Sequence, residues 1–373
     1  MKKKNIPKAI VVLLIVTLML AACRNNSTQG NGDTSSMEEI ESSTTTEPQG
    51  NESIVLATEI TELCDGLSAV RFGGEYGFAD FLEQGGASSD ADILAFLESN
   101  VFFDATTLSF NVSNFGCSTL SVRSPEGDSL FGRNFDWNHC NAMIVQSSPA
   151  TEYASISTVN MDFIRGVSLT QLPEQMQAIA ALYAPLDGMN ENGLVVSVNM
   201  IQDRASISQA SDKPDITITT AIRLLLNQAA TVEEAVSLLE AYDMNASMGY
   251  MVHFAIADTS GNSVVVEYIN NEMIVTQTPV VTNFYLSEGE KNGIGTAQSH
   301  TRYDILMEAL DQNETMSMTD VRDALSSVSK KNFGEFESTE WSVVFNQSTG
   351  EVYYYHRENY ENSYVFSVSK EDI

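Results

Sequence analysis

The sequence has little positive charge and few cysteines, and each shortage excludes a class of protein. It carries 19 lysine and arginine residues against 50 aspartate and glutamate residues, a formal net charge of −31. Such a charge repels phosphate backbones, so we expect no nucleic-acid partner. Four cysteines in 373 residues are too few for a fold held together by disulfides. With 43% hydrophobic residues the chain can still bury a sizeable core, as one large or two ordinary domains.

Patterns that usually hold cofactors and metal ions are also missing from the sequence. There is no glycine-rich phosphate loop, no His-Glu-x-x-His pair and no paired Cys-x-x-Cys spacing. An internal repeat of roughly 20 to 50 residues, the signature of a solenoid, is absent as well. The sequence therefore predicts a protein with no cofactor and no metal site.

The N-terminus resembles an export signal. Four lysines within the first eight residues precede an apolar run from Ile10 to Leu20, which is shorter than the roughly 20 apolar residues that span a bilayer. The run ends in Leu20-Ala21-Ala22-Cys23 and so resembles a bacterial lipoprotein signal. That resemblance implies a diacylated Cys23 and an extracytoplasmic protein anchored by lipid to the bacterial membrane. An ordinary secretory signal with an incidental cysteine is the alternative.

A polar stretch follows the predicted signal peptide of residues 1–22. Residues 23–55 are mainly Asn, Ser, Thr, Gln, Gly and Glu. Their large apolar side chains are too few to offset the entropy that ordering the stretch would cost. We expect a disordered tether there, with the globular part of the protein after it.

In the globular part, strand patterns come in hairpins and helix patterns in separate blocks. The apolar patterns predict strands at 117–123, 129–137, 194–198, 252–257, 263–268, 341–345, 352–356 and 364–368. They predict helices at 91–97, 302–310 and 319–328, and a further helix capped by Thr231 with Glu234. This arrangement predicts an α+β domain of antiparallel sheets and argues against a doubly wound parallel sheet.

Cys117 stands at the start of a predicted strand, directly after Gly116. Glycine suits such a junction because it tolerates backbone conformations that strain other residues. If the chain were cut between these two residues, the new terminus would carry a thiol and a free α-amine, whose pKa is roughly 7.7 to 8.0. The amine could accept the thiol proton, so nucleophile and base would belong to one residue.

The histidines offer no recognisable alternative base. His139, His253, His300 and His356 do not fall into a Cys–His arrangement with Cys117. A histidine that only the fold brings close would instead make the protein a Cys–His cell-wall peptidase with no maturation cut. A solute-binding lipoprotein is the other alternative, although the repeated βαβ pattern usual in such proteins is not found.

The chain from Cys117 onward resembles the choloylglycine hydrolase and penicillin V acylase family of N-terminal nucleophile hydrolases. The resemblance begins with Cys-Ser-Thr-Leu at 117–120 and Leu-Phe-Gly-Arg-Asn-Phe-Asp-Trp at 130–137. In that family an arginine and an aspartate follow the nucleophile by 16 and 19 positions, and Arg133 and Asp136 stand at those spacings here. Acid ceramidase and N-acylethanolamine acid amidase are more distant relatives.

Three further elements recur in the family's order. The loop at 187–194 reads Asp-Gly-Met-Asn-Glu-Asn-Gly-Leu and precedes Asn199, which the resemblance implies to be an oxyanion-hole residue. Val-Thr-Asn ending at Asn283 resembles a Thr-Asn element that supplies a second asparagine. Ser-His-Thr-Arg-Tyr around Arg302 resembles the element whose arginine lies in the active site.

The resemblance implies an αββα sandwich, a hydrolase of linear amide bonds, and a role for each residue. Asn199 and Asn283 are expected to donate hydrogen bonds to the oxyanion. Arg133 is expected to keep the thiol anionic, Asp136 to orient the new ammonium, and Arg302 to set the charge of the pocket. The implied substrates are conjugated bile salts, penicillin V, N-acyl amino acids or lactones, and fatty-acid amides.

Two departures from the family pattern shape these expectations. Bile salt hydrolases lose only an initiator methionine before their cysteine, whereas 116 residues precede it here. We therefore expect residues 56–116 to be a pro-segment that self-cleavage between Gly116 and Cys117 separates from a catalytic domain of residues 117–373. Ser118 replaces the threonine usual in bile salt hydrolases, which weakens any transfer of bile-salt specificity.

The two remaining cysteines leave two alternatives open. Cys64 and Cys140 could form a disulfide that joins the pro-segment to the catalytic chain, since an exported location permits disulfides. Two unpaired thiols are the other alternative.

Overall fold

The computed structural model describes residues 53–102, 108–110, 116–166, 172–247, 249–333 and 337–368. Contacts divide the chain into two units, residues 1–50 and 51–373, and all described residues belong to the second. The predicted signal peptide, Cys23 and the predicted tether as far as residue 52 lie outside the described residues. None of the helices in the described ranges is both long enough and apolar enough to cross a bilayer.

Strands dominate the described part of the chain. They are β1 (Thr61–Cys64), β2 (Leu67–Gly73), β3 (Leu108–Phe110), β4 (Gly116–Arg123), β5 (Ser129–Trp137), β6 (Ala142–Ser148), β7 (Ser155–Asn160), β8 (Ile164–Gly166), β9 (Asp187–Asn190), β10 (Val195–Ile201), β11 (Asp215–Thr217), β12 (Asp243–Asn245), β13 (Met251–Ala257), β14 (Ser263–Ile269), β15 (Glu272–Gln277), β16 (Val280–Val281), β17 (Ser338–Asn346), β18 (Glu351–His356) and β19 (Tyr364–Ser367).

The helices lie between these groups of strands. They are α1 (Phe78–Glu83), α2 (Asp90–Leu97), α3 (Glu174–Leu182), α4 (Ile218–Gln228), α5 (Val232–Glu240), α6 (Ala297–Gln312) and α7 (Met318–Ser327). The predicted cap of α5 is present, because the hydroxyl of Thr231 accepts the backbone N–H of Glu234 at 3.2 Å. Such a side chain satisfies one of the N–H groups that the first helical turn leaves unpaired.

Two large sheets form the centre of the fold. Within the described ranges, one has nine strands in the order β1-β2-β6-β7-β9-β10-β13-β14-β15, and the other has six in the order β16-β4-β5-β17-β18-β19. Helices α3, α4 and α5 pack on the nine-stranded sheet, and α6 and α7 pack on the six-stranded sheet. The result is four layers, helix, sheet, sheet and helix, so the predicted α+β class with antiparallel sheets is confirmed.

Alternate side chains of β5 pack into two different apolar cores. Phe131 and Phe135 belong to the large core that the nine-stranded sheet shares, whereas Leu130 belongs to the smaller core under α6 and α7. Gly132 also faces that smaller core, where an added Cβ would lie 2.7 Å from the Cγ1 of Val321. Successive residues of a strand point to opposite faces, so β5 is buried on both sides.

Strands β1 and β2, which precede Cys117 in the chain, are part of the nine-stranded sheet. Strand β2 pairs with β6 from Leu67 to Gly73, and this pairing is parallel, unlike the antiparallel sheets that the sequence predicts. Parallel neighbours need a long connection, and here the whole stretch that contains the junction at 116–117 separates the two strands. At the start of the described chain, the backbone N–H of Ile54 donates to the carbonyl of Val365 at 2.7 Å.

Candidate active site

Cys117 lies at the start of β4, with its side chain buried between the two sheets. Its sulfur lies 3.6 Å from the carbonyl oxygen of Val198 on β10 and 3.5 Å from Nη2 of Arg133. Its backbone N–H donates to Oδ1 of Asn283 at 2.9 Å. The thiol and the nitrogen that cleavage would turn into an amine are therefore both held by neighbouring groups.

Arg133 reaches the sulfur from the neighbouring strand. β5 is antiparallel to β4, and Arg133 pairs with Thr119, two residues beyond Cys117. Its guanidinium donates to the carboxylate of Asp187 and, at 3.0 Å, to the Val198 carbonyl. A buried guanidinium is costly unless it is paired, so Asp187 both neutralises Arg133 and fixes its direction.

Asp136 faces the opposite side of the same strand. It follows Arg133 by three residues, an odd number, and alternate residues of a strand share a face. Its Oδ1 accepts the hydroxyl of Thr339 at 2.7 Å, and its Oδ2 lies 3.0 Å from where a Cβ on Gly116 would stand. The Cε of Lys330 lies 3.3 Å from the same position. The junction before Cys117 thus leaves little room for any side chain at 116.

Arg302, on α6, connects these groups. Its Nη1 donates to the carbonyl oxygen of Cys117 at 2.5 Å and to the hydroxyl of Ser118 at 2.6 Å. Its Nη2 donates to Oδ1 of Asn283 at 2.7 Å, and Nη1 lies 3.5 Å from Oδ2 of Asp136. The predicted residues Cys117, Arg133, Asp136, Asn283 and Arg302 therefore meet at one place.

Backbone carbonyls engage the amide nitrogens of the two asparagines in the uncleaved chain. Asn199 directs its amide nitrogen at the carbonyls of Val281 and Thr282, at 3.3 and 3.4 Å. Asn283 donates to the carbonyl of Met200 at 2.7 Å and presents its oxygen to the Cys117 nitrogen. Their role as oxyanion donors in turnover stays a prediction.

Burial has the largest effect on the pKa of Cys117. Burial raises the pKa of its thiol, and the lowering by the charge of Arg133 is smaller, with Asp136 adding to the rise. The role of Arg133 in favouring the thiolate during turnover stays a prediction. A thiol needs a proton acceptor before it can attack, which is what a free α-amine provides.

A cavity of about 380 Å³ opens beside the junction. Its lining residues, which are mostly polar, are Gly116, Gln202, Asn283, Thr296, Ala297, Gln298, Arg302, Lys330 and Glu337. The ammonium of Lys330 is buried and lies 3.2 Å from Glu337 Oε2 and 3.2 Å from Gln298 Oε1. Another cavity, of about 340 Å³, lies at the far end of β4 around Arg123 and contains none of the predicted site residues.

Three residues of this site, Asp187, Lys330 and Thr339, had no predicted role. Asp187 opens the loop that carried the resemblance, so its position in that motif was a usable signal. Lys330 and Thr339 carried no signal, because each reaches the site only through the folding of the sheet. The cysteines outside the site, Cys64 and Cys140, are free thiols in this structure, and Cys64 contacts the Nδ1 of His356 at 3.2 Å.

Comparison with known proteins identifies the fold. The chain is similar to two variants of the conjugated bile acid hydrolase from Clostridium perfringens, at 18% and 16% identity with TM-scores of 0.51 and 0.50. Each likeness covers 69% of this chain and 93% of the other. Penicillin V acylase from Agrobacterium tumefaciens aligns at 16% identity over 64% of this chain and 83% of that one, with a TM-score of 0.42. No curated protein sequence matches the chain.

A family model supplies the assignment. The model for acyl-coenzyme A:6-aminopenicillanic acid acyl-transferase matches residues 122–361, which is more than half of the chain and begins just after Cys117. The predicted relation to the amide-cleaving N-terminal nucleophile enzymes and the predicted αββα fold are confirmed, and so is the prediction of an enzyme that acts on linear carbon–nitrogen bonds. The chain belongs to the acyl-coenzyme A:6-aminopenicillanic acid acyl-transferase family.

Proposed function

We propose that the protein is a cysteine N-terminal nucleophile amidase that cuts its own chain between Gly116 and Cys117 and then hydrolyses linear N-acyl amides. The observation that carries the proposal is the set of contacts that Cys117 makes. Both its sulfur and its backbone nitrogen are buried and contacted, the sulfur by Arg133 and the nitrogen by Asn283. The combination of the two contacts supports the proposal, because the nitrogen of Cys140 is held as well, by Glu340 at 2.9 Å, and a buried thiol otherwise packs as a small apolar group.

Self-cleavage would proceed by transfer of an acyl group from nitrogen to sulfur. The thiol of Cys117 loses its proton and attacks the carbonyl carbon of Gly116. The carbon–nitrogen bond then breaks, the nitrogen of Cys117 takes up a proton, and a thioester remains. Water hydrolyses the thioester to give a carboxylate at Gly116 and a free thiol. Asp136 and Lys330 leave little room for a side chain at position 116, so glycine suits this junction.

In turnover, the new α-amine would accept the thiol proton while the sulfur attacks a substrate amide. The amine product leaves with that proton, and water releases the acyl group from the thioester. Arg133 favours the thiolate, since its positive charge lowers the Cys117 pKa against the effect of burial. Asn199 follows Val198, whose carbonyl contacts the sulfur, and could donate to the oxyanion once its amide leaves the Val281 and Thr282 carbonyls.

The substrates we propose are N-acyl amides of the bile-salt, penicillin V, N-acyl amino acid or fatty-amide type. Two similar proteins are by their names a conjugated bile acid hydrolase and a penicillin V acylase. The name of the family describes acyl transfer instead, which differs from hydrolysis only in the group that accepts the acyl chain. A panel of acyl amides, assayed with and without an added amine acceptor, separates these possibilities.

The pro-segment would stay bound after cleavage. Strand β2 pairs with β6 over its whole length, and the rings of Phe78, Phe81 and Phe96 all pack on Tyr183 beyond the cut. None of these contacts depends on the peptide bond at the junction. We therefore expect the mature protein to contain two chains, the first of them anchored outside the cytoplasm through a lipid on Cys23.

Intact-mass analysis of the purified full-length protein tests the proposal. We expect a chain of residues 117–373 that copurifies with a chain beginning at an acylated Cys23. The Cys117→Ala variant should remain a single polypeptide without amidase activity, whereas the matched Cys140→Ala variant should still be cut. A Cys117→Ala protein that is still cut after Gly116, or an active wild-type enzyme that is continuous through this junction, would contradict the proposal.

A further inference from the structure

Strand β16 ends two residues before Asn283, so the segment that presents Asn283 to Cys117 lies beyond the end of that strand. Further along, Tyr285 donates to the carbonyl of Ile294 at 3.2 Å and accepts the N–H of Gly293 at 2.8 Å, next to a bridge between Phe284 and Gly295. The side chain of Asn283 is the group that accepts the Cys117 N–H. Its position therefore also depends on side-chain contacts from neighbouring elements.

A buried ion pair supplies contacts on both sides of Asn283. His253 and Glu267, on the neighbouring strands β13 and β14, are fully buried, and Nδ1 of the histidine lies 2.9 Å from Oε1 of the glutamate. The other ring nitrogen, Nε2, lies 2.9 Å from the carbonyl oxygen of Thr282, just before Asn283. A carbonyl can only accept a hydrogen bond, so Nε2 of His253 carries a proton.

Glu267 restrains the segment beyond Asn283. Its carboxylate accepts the backbone N–H groups of Leu286 and Ser287 at 3.0 and 2.7 Å. Burial alone raises its pKa, but the hydrogen bond and charge of His253, with these N–H groups, outweigh burial and lower the pKa to about 2. The carboxylate is therefore ionised, and both nitrogens of the buried His253 ring lie within hydrogen-bond distance of an acceptor, the Glu267 carboxylate for Nδ1 and the Thr282 carbonyl for Nε2.

The same segment is tied to the helix that carries Arg302. The hydroxyl of Thr282 donates to the carbonyl of Ser299 at 2.9 Å, one turn before Arg302 on α6. Arg302 in turn donates to Oδ1 of Asn283. Thr282 thus accepts a hydrogen bond from His253 and donates one to α6. This residue connects the ion pair both to Asn283, which follows it, and to the helix that carries Arg302.

We propose that His253 and Glu267 are positioning residues, whose ion pair holds residues 282–287 so that Asn283 receives the Cys117 nitrogen in both self-cleavage and turnover. Neither residue touches the sulfur, so the pair acts through Asn283. The inference rests on the proposed function, since it assigns a purpose to the Asn283–Cys117 contact. Misplacement of a reacting group by about 1 Å can reduce a rate on the order of 100-fold, so a small shift of this segment is enough to matter.

The test uses the full-length precursor with three substitutions: His253→Gln, Glu267→Gln, and the two together. Each single change removes one member of the buried pair and leaves the other without its partner, whereas the double change removes both. His356→Gln is the matched control, because it also removes a buried imidazole but lies on β18 against Cys64. Folded protein is isolated by size exclusion and checked by near-ultraviolet circular dichroism before any rate is measured.

We expect each single substitution to slow the appearance of the chain 117–373 by about 10-fold or more in folded protein. Turnover of an N-acyl 4-nitroanilide should lose kcat by a similar factor with KM changed less than about 2-fold, because the group that is misplaced belongs to the nucleophile and not to substrate binding. The double variant should recover part of both losses, and His356→Gln should keep wild-type rates.

Wild-type rates of self-cleavage in folded single variants would overturn the inference. Failure of all three variants to fold would overturn it too, because the pair would then serve folding alone. Failure of the proposed function looks different: the wild-type protein would not cut itself, or Cys117→Ala would still be cut, whatever stands at 253 and 267.

Discussion

Cys117 and Cys64 have surroundings of opposite kinds. Cys64 is partly exposed and has a histidine 3.2 Å from its sulfur, which is the pairing usually sought in cysteine enzymes. Cys117 is fully buried and has arginine and asparagine as neighbours. At Cys117 an arginine lies next to the sulfur and the side chain of Asn283 holds the backbone nitrogen. A held nitrogen is not enough by itself, because the backbone N–H of Cys140 also donates, to Oε2 of Glu340 at 2.9 Å. The difference teaches that the proposed nucleophile is marked by contacts to both its sulfur and its nitrogen, since that nitrogen is the proposed base.

Among the substitutions that test the difference between Cys117 and Cys64, Arg133→Gln is expected to have the largest effect on activity. The Arg133→Gln substitution removes the nearest cation from Cys117, so the thiol pKa, already raised by burial, rises further. We expect activity to fall about 100- to 1000-fold, as for the loss of one strong electrostatic contact in an active site, and the acid limb of the pH–rate profile of kcat/KM to move to higher pH. The neutral double variant Arg133→Gln with Asp187→Asn controls for the buried carboxylate left behind. An unshifted profile in both variants would remove Arg133 from the mechanism.

An intermediate effect is expected at His356, and it concerns stability alone. Burial, and then the charge of Arg357, lower the His356 pKa from 6.5 to about 4. The folded state thus favours the neutral ring, so the unfolded chain binds more protons between these values and stability is lost as the pH falls from 6.5 to 4. The loss at pH 4 should be about 3 kcal/mol. Denaturant unfolding of wild type and His356→Gln checks this: the variant should lack this part of the pH dependence, and equal slopes would show the ring to be charged in the fold.

The smallest effect is expected at Cys64. Cys64→Ala removes one hydrogen bond to His356, and we expect a loss of about 1 kcal/mol in the free energy of unfolding. Self-cleavage and amidase rates should stay within about 2-fold of wild type, since the proposed base belongs to Cys117. Unfolding midpoints and the cleavage time course measure the two quantities. If Cys64→Ala abolished activity as Cys117→Ala is expected to do, the two cysteines would not differ as described above.

Much of the sheet structure could be predicted because apolar side chains alternate strongly along it. The prediction of a strand at 129–137 coincides with β5, and the strand predicted at 117–123 begins one residue earlier, at Gly116. Helix α7 was predicted within one residue at each end. The parallel pairing of β2 with β6 could not be predicted, because hairpin patterns report only neighbours along the chain.

Short spacing along a strand determines which face each of its residues occupies. The three-residue separation of Arg133 and Asp136 places them on opposite faces of β5, one toward the sulfur and the other toward Gly116. The partners of these residues lie far along the chain: Asp187 is 54 residues from Arg133, and Thr339 is 203 residues from Asp136. The orientation of the Asn199 amide could not be predicted, because it depends on which carbonyls the fold brings near it.

The sequence by itself indicated Cys117 as the proposed nucleophile, with the glycine before it, through the family resemblance, and local alternation predicted the strand that carries Arg133 and Asp136. The tertiary structure alone decided that burial raises the pKa of Cys117, that Asp187 pairs with Arg133, and that His253 and Glu267 contact the segment of Asn283. Burial and the pairing of charges are properties of surroundings, and those surroundings form only when residues far apart in the chain pack together.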